Sequence, residues 1–203
     1  MLQYIPRVIF ALFFILATPA LAGNATLADA LAEKSIGSPD APVTIVEYAS
    51  LTCPHCAAFH SDTLPKIKKN YIDSGKVRLV YHDFPLDTLA MAAAMIARCG
   101  GEKYYFAMLS DLFATQQTWA NSDNPLQALT NIARLSGMSK TDVESCVDDK
   151  ALFSALKDKA DRAGRENGIR STPTFFVEGT KIPGNLPYKD FQEVIDKALA
   201  AKN

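Results

Sequence analysis

The 203-residue chain has no surplus of either charge sign: 21 Lys and Arg stand against 22 Asp and Glu. Binding a phosphate backbone needs clustered basic residues, so nucleic acid is not an expected partner. Ten glycines and 11 prolines are too few for a collagen-like chain, and 48% hydrophobic residues are too many for a disordered one. Four cysteines are too few to build a disulfide scaffold but enough for two pairs. There is no internal repeat, no low-complexity tract, and no Met- or His-rich tract around a cysteine that would suggest soft-metal binding. What remains is an ordinary globular chain of about one domain's length, with room for an insertion and for a core that needs no metal.

The N-terminus reads as an address. Arg7 is the only charge in residues 1–22. The apolar run Val8–Ala17 is far shorter than the ~20 residues a membrane-spanning helix needs. Thr18-Pro19 breaks it, and Ala20-Leu21-Ala22 supplies an A-x-A end, so the expectation is a secretory signal peptide cut after Ala22. The mature chain then keeps all four cysteines and enters an oxidising compartment, where disulfides persist.

Residues 24–42 are small and polar, with one helical turn expected around Ala28–Lys34. Val43–Leu51 is β-branched, aromatic and apolar on both faces, the pattern of a covered central strand in a parallel sheet. Cys53-Pro54-His55-Cys56 follows, and apolar residues then recur at helical spacing to Ser74-Gly75, with a kink expected at Pro65. Val77–Asp83 is a second strand, completing a βαβ unit with the cysteines at its strand-to-helix turn. From Leu86 to Gly168 no strand pattern occurs. The segment breaks into helices over Thr88–Cys99, Tyr104–Gln116, from Asn124-Pro125 to Gly137, a short one capped by Ser139 and Asp142, and Lys150–Asn167. Pro173–Glu178 and Lys181–Pro183 then read as a strand pair across Gly179-Thr180, and Tyr188–Ala201 as a final amphipathic helix.

Cys53-x-x-Cys56 admits four readings. A zinc half-site needs a second ligand pair, but Cys99 and Cys146 stand apart and His82 is isolated. Haem attachment needs His after the second Cys, where Ala57 stands. An inert disulfide and a redox dithiol remain, and the setting favours the dithiol. A thiolate at a helix start is stabilised by unpaired N–H groups and the helix dipole. That lowers the Cys53 pKa from about 8.5, while Pro54 fits the first turn and His55 adds a donor or positive charge. A good leaving thiolate makes the Cys53–Cys56 disulfide an oxidant of other thiols, with Cys56 the less exposed partner.

Glu47, six residues before Cys53, with Cys-Pro-His-Cys, the helical block and the late Thr172-Pro173-Thr174-Phe175, resembles the DsbA family of thiol oxidases. The resemblance implies an α/β fold, a thioredoxin fold interrupted by an all-helical insertion domain. In this chain residues 1–22 would be the signal peptide, 23–41 an N-terminal segment, 42–85 and 169–203 the thioredoxin-like domain, and 86–168 the insertion. It implies Cys53 as the attacked sulfur and a cis peptide at Thr172-Pro173 beside it, where free backbone groups can pair with an extended substrate. Glu47 is expected to be a buried carboxyl that moves a proton to or from Cys56, with burial raising its pKa; the alternative is a surface Glu at a strand end. His60, where the family often has an acid, reads as a surface histidine. Phe84, Tyr104, Tyr105, Phe106 and Trp119 read as core.

Cys99 and Cys146 are expected to pair, as in some relatives, rather than to remain two buried thiols. The implied partners are exported cysteine-containing proteins and a DsbB-type, quinone-linked membrane reoxidase, in the periplasm, with no metal or other cofactor. Thr172 departs from the Val common in oxidases and is familiar from isomerases and reductases, which form the alternative. A thiol- or metal-binding protein is the non-enzymatic one.

Overall fold

The computed structural model describes residues 25–202. The expected signal peptide, residues 1–22, lies outside them. The chain order is α1 (Leu27–Leu31), β1 (Lys34–Ile36), β2 (Val43–Ala49), α2 (Pro54–Ala58), α3 (Leu64–Ile67), β3 (Val77–Asp83), six helices, then β4 (Thr174–Val177), β5 (Thr180–Pro183) and α10 (Tyr188–Ala200). The strands form one sheet in the order β1-β3-β2-β4-β5. β2 runs parallel to β3, with Glu47 opposite Tyr81, and antiparallel to β4, with Glu47 opposite Phe175. The central position of β2 explains its two apolar faces: it is paired on both edges and covered on both sides.

Strand β1 was not visible in the sequence, because three residues carry too little periodicity to mark a strand. It exists because its register against β3 places Ser35 opposite Val80. Pro65 lies in the first turn of α3. The helical path continues through two wider π-type segments, Phe59–Thr63 and Lys68–Ile72, on either side of α3. A π turn is a usual way for a helix to absorb a local misfit without breaking.

The inserted helices are α4 (Thr88–Cys99), α5 (Glu102–Ala114), α6 (Gln116–Ala120), α7 (Pro125–Leu135), α8 (Lys140–Val147) and α9 (Lys150–Glu166). Their starts follow local chemistry. Asp87 caps α4 through Ala90 N, Asn124 caps α7 with Pro125 in its first turn, and Ser139 with Asp142 makes a reciprocal capping box on α8. Two main apolar cores result. One fills the helical block and reaches Cys53 and Cys56; the other lies between the sheet, α3 and α10 around Phe59, Phe175 and Phe191. Tyr105 and Trp119 are fully buried, whereas Phe84, Tyr104 and Phe106 are only half-buried.

Cys99, at the end of α4, and Cys146, in α8, are joined by a disulfide that spans 47 residues. Removing a cross-link of that loop length costs up to about 4 kcal/mol in the chain-entropy account. The Cys99→Ala/Cys146→Ala protein is therefore expected to unfold at lower urea concentration by about 2–4 kcal/mol. A midpoint equal to the parent's would show that the cross-link does not constrain the unfolded chain.

Candidate active site

Sequence alone puts Cys53 at the turn between β2 and α2, and the fold shows what surrounds it. Cys53 is the N-cap residue of α2 in extended conformation (φ −81°, ψ 118°), and Pro54 occupies the first turn. Its carbonyl accepts the N–H groups of Cys56 and Ala57 at 3.1 and 3.2 Å, which closes the first turn. Cys53 is 6% exposed and Cys56 wholly buried, while Pro54 and His55 are exposed. Both thiols are free.

The Thr172–Pro173 peptide is cis, and Thr172 is buried. It lies against the site: the Cys53 thiol donates to the Thr172 carbonyl at 3.2 Å. The Thr172 hydroxyl is buried and has no hydrogen-bond partner in the molecule. The two sulfurs differ sharply. A hydrogen bond from the Cys56 thiol pulls the Cys53 pKa down to about 5 against the effect of burial, with help from the backbone N–H groups of Cys56 and His55. Burial, the hydrogen bond to Cys53 and the charge of Glu47 push the Cys56 thiol far up. The pair therefore holds one thiolate on the accessible sulfur and one proton on the inner sulfur at neutral pH.

Glu47 is wholly buried in β2, so the strand-end surface reading does not hold. His60 is where the structure overturns the sequence. Instead of a surface residue, its side chain is only 7% exposed and pairs with Glu47, with Nε2 at 3.0 Å from one carboxylate oxygen and 3.2 Å from the other. The reason is the π-type turn Phe59–Thr63, in which His60 is the second residue. Projection on a regular 3.6-residue helix no longer gives its direction. Its ring also stacks on Phe113 of α5, centroids 4.1 Å apart.

Two further contacts were not legible in the sequence. Gln116 of α6 is buried and donates from Nε2 to the carbonyls of Leu51 at 2.7 Å and Cys53 at 3.0 Å. The Thr52 hydroxyl donates to Asp87, the cap of α4, at 2.6 Å. The inserted helices thus fix the backbone of the cysteine turn from above. Among the described residues no cluster of three or more His, Cys, Asp or Glu is placed to hold a metal ion.

Comparison with known proteins agrees with this geometry. The thioredoxin family model matches residues 29–197. A Rickettsia conorii protein named for protein-disulfide oxidoreductase activity is 33% identical over 165 residues, 81% of this chain and 59% of that one. Disulfide bond formation protein D of Bacillus subtilis is 28% identical over 178 residues, 82% of this chain and 77% of that one. The chain spans only about 59–63% of the length of the rickettsial relatives. The crystal structure of Wolbachia pipientis alpha-DsbA1 superposes with a TM-score of 0.78 at 33% identity, covering 84% of this chain and 92% of that one. With the family model across most of its length and that structure matched almost end to end, the chain belongs to the thioredoxin family and, within it, to the DsbA-like proteins.

Proposed function

We propose that the protein is a thiol:disulfide oxidoreductase that donates a Cys53–Cys56 disulfide to exported cysteine-containing proteins. The observation that carries this reading is the arrangement of the pair: an accessible-side sulfur held against the Thr172 carbonyl, and a second sulfur sealed beneath it. A substrate thiolate attacks Cys53 Sγ, the Cys53–Cys56 bond breaks, and its electron pair leaves on Cys56, which takes up a proton. The substrate's second thiolate then attacks the substrate sulfur of the mixed disulfide. Cys53 leaves as the stabilised thiolate, and the substrate keeps the new disulfide. Thr172 and Pro173 form the edge against which an extended substrate chain lies, and Glu47 exchanges the Cys56 proton. The resulting dithiol returns to the disulfide through a membrane reoxidase of the DsbB type, quinone-linked. The compartment is the periplasm, reached through residues 1–22.

The redox equilibrium of residues 23–203 with glutathione tests this. An oxidising potential, well above the about −270 mV of thioredoxin, is the expected result. A value at the thioredoxin level would move the reductase or isomerase reading, which Thr172 also fits, to the front. Glu47→Gln is expected to slow exchange and change its pH dependence while leaving the Cys53 thiolate titration in place. An unchanged pH–rate profile would remove Glu47 from the mechanism.

A further inference from the structure

Gln116 opens α6 in the inserted block, yet its side chain is engaged with the cysteine turn. Its Nε2 donates to the carbonyls of Leu51 at 2.7 Å and of Cys53 at 3.0 Å, 65 and 63 residues back in the chain. One amide nitrogen with two hydrogens serves two acceptors, and only that end of a glutamine can face a pair of carbonyls. The oxygen end points to Gln117, whose Nε2 donates to it at 3.5 Å. Gln116 is 2% exposed, so both bonds form away from water, where an unpaired group is costly. Among the described residues the Leu51 carbonyl accepts from no other donor, whereas the Cys53 carbonyl also accepts the N–H groups of Cys56 and Ala57. A residue needed only to fill the core would not carry an amide to this point.

Resting on the oxidoreductase reading above, we propose that Gln116 is a positioning residue for the reacting sulfur: it clamps the backbone on both sides of Thr52, so that the N–H groups opening α2 stay aimed at Cys53 Sγ. The path is short. Cys53 is the N-cap of α2 with ψ 118°, and that dihedral sets the direction of its carbonyl and of the N–H groups that follow. A donor fixed on the carbonyl holds ψ. The N–H groups of His55 and Cys56 and the Cys56 thiol, which favour the Cys53 thiolate, then keep their direction. The second bond holds the Leu51 carbonyl, and between the two the Cys53 N–H closes on the Ser50 carbonyl at 3.1 Å. The amide hydrogens also offset the negative end of the Cys53 carbonyl dipole, which belongs to the same residue as the thiolate. The disulfide form carries no thiolate, so the clamp favours the dithiol over the disulfide, the direction of an oxidant. The charged and titratable groups around the pair are Cys56 and His55 of α2, Glu47 of β2 with His60 against it, and Asp87, which holds the Thr52 hydroxyl. Gln116 is neutral, so a neutral residue in its place alters none of those charges.

The test compares Gln116→Met and Gln116→Asn with the parent in the full mature protein. Met keeps the length and removes both donors; Asn keeps the amide but withdraws it by one methylene. In the reduced protein the thiolate absorbance of Cys53 is expected to titrate about one pH unit higher in both variants than the parent's midpoint near 5. The disulfide should then be about tenfold less oxidising against glutathione at pH 7. A packing role would move neither readout. It would lower the urea midpoint equally in the oxidised and reduced proteins and at every pH. The clamp instead predicts a larger stability loss in the reduced protein at about pH 8, where the thiolate is present, than at about pH 4.5 or in the oxidised protein. Parent-like titration midpoints and glutathione constants in both variants would overturn the proposal, and so would a loss equal in both redox states. Each variant is read by itself, so if one does not fold the other decides; loss of the folded state in both would assign Gln116 to stability alone and overturn the clamp as well. A parent with neither a low Cys53 midpoint nor an oxidising potential overturns the proposed function itself, whereas a parent with both confines any failure to Gln116.

Discussion

In the reduced protein, the thiolate absorbance near 240 nm is expected to titrate with a midpoint near pH 5, and Cys56→Ala is expected to move that midpoint upward by pH units. The largest cause of the low Cys53 pKa is the hydrogen bond from the Cys56 thiol, so the variant removes the main donor and leaves the opposing effect of burial in place. The consequence for stability has a definite sign. The folded Cys53 pKa lies below its unfolded value, so the thiolate stabilises the folded dithiol protein fully above about pH 8.5. That stabilisation fades as the pH falls and is gone below about pH 5. At pH 7 it is of the order of 2 kcal/mol, equivalent to roughly 40 mV in the oxidising direction for a two-electron couple. Cys56 is perturbed the other way, but its effect begins only above its unfolded pKa, outside this window. Urea unfolding of the reduced protein should therefore show rising stability from pH 5 to 8 relative to Cys53→Ala. In exchange assays, Cys53→Ala should fall to background, whereas Cys56→Ala should still attack disulfide substrates and accumulate mixed disulfide. A flat pH difference between reduced parent and Cys53→Ala would show that no thiolate is stabilised, and the proposed chemistry would lose its leaving group.

Arg98→Ala is expected to cost about 3–5 kcal/mol, the loss typical of breaking a buried ion pair from one side. Arg98 and Asp83 are both 4% exposed at the side chain, with Nε donating to the carboxylate at 2.5 Å. Its Nη1 donates to the carbonyls of Ala30 at 2.6 Å and Ala32 at 3.3 Å. Lys34 and Lys159 donate to the neighbouring carbonyls of Asp29 and Leu31. Three cations thus hold the C-terminal end of α1, where the unpaired carbonyls and the negative end of the helix lie. Truncating Arg98 leaves a buried carboxylate alone and frees the strongest of these contacts. The double variant Arg98→Met/Asp83→Leu should recover much of the loss, since apolar replacements of a buried pair are often neutral. Chemical denaturation of the three variants measures this. A double variant as unstable as Arg98→Ala would place the cost in the lost carbonyl contacts rather than in the stranded charge.

Much of this molecule could be read from local chemistry. The strands at Val43 and Val77, the helices opened by Asn124-Pro125 and by Ser139 with Asp142, and the position of Cys53 at a strand-to-helix turn all follow from periodicity and caps within a few residues. Those signals act through the nearest backbone groups, so a linear sequence carries them. The resemblance of the Cys-Pro-His-Cys turn, the helical block and the late Thr-Pro then placed the chain in its family. Tertiary structure decided the rest. Strand β1 is a strand because β3 offers it an edge. Gln116 matters because the helical block folds back over the cysteine turn, bringing residues more than 60 positions apart within 3.0 Å. His60 faces inward because a π-type turn redirects it onto Glu47, a residue on another element. The surface reading of His60 had no access to that contact. Contacts made across elements depend on register, turn width and packing together, and no single stretch of sequence holds all three.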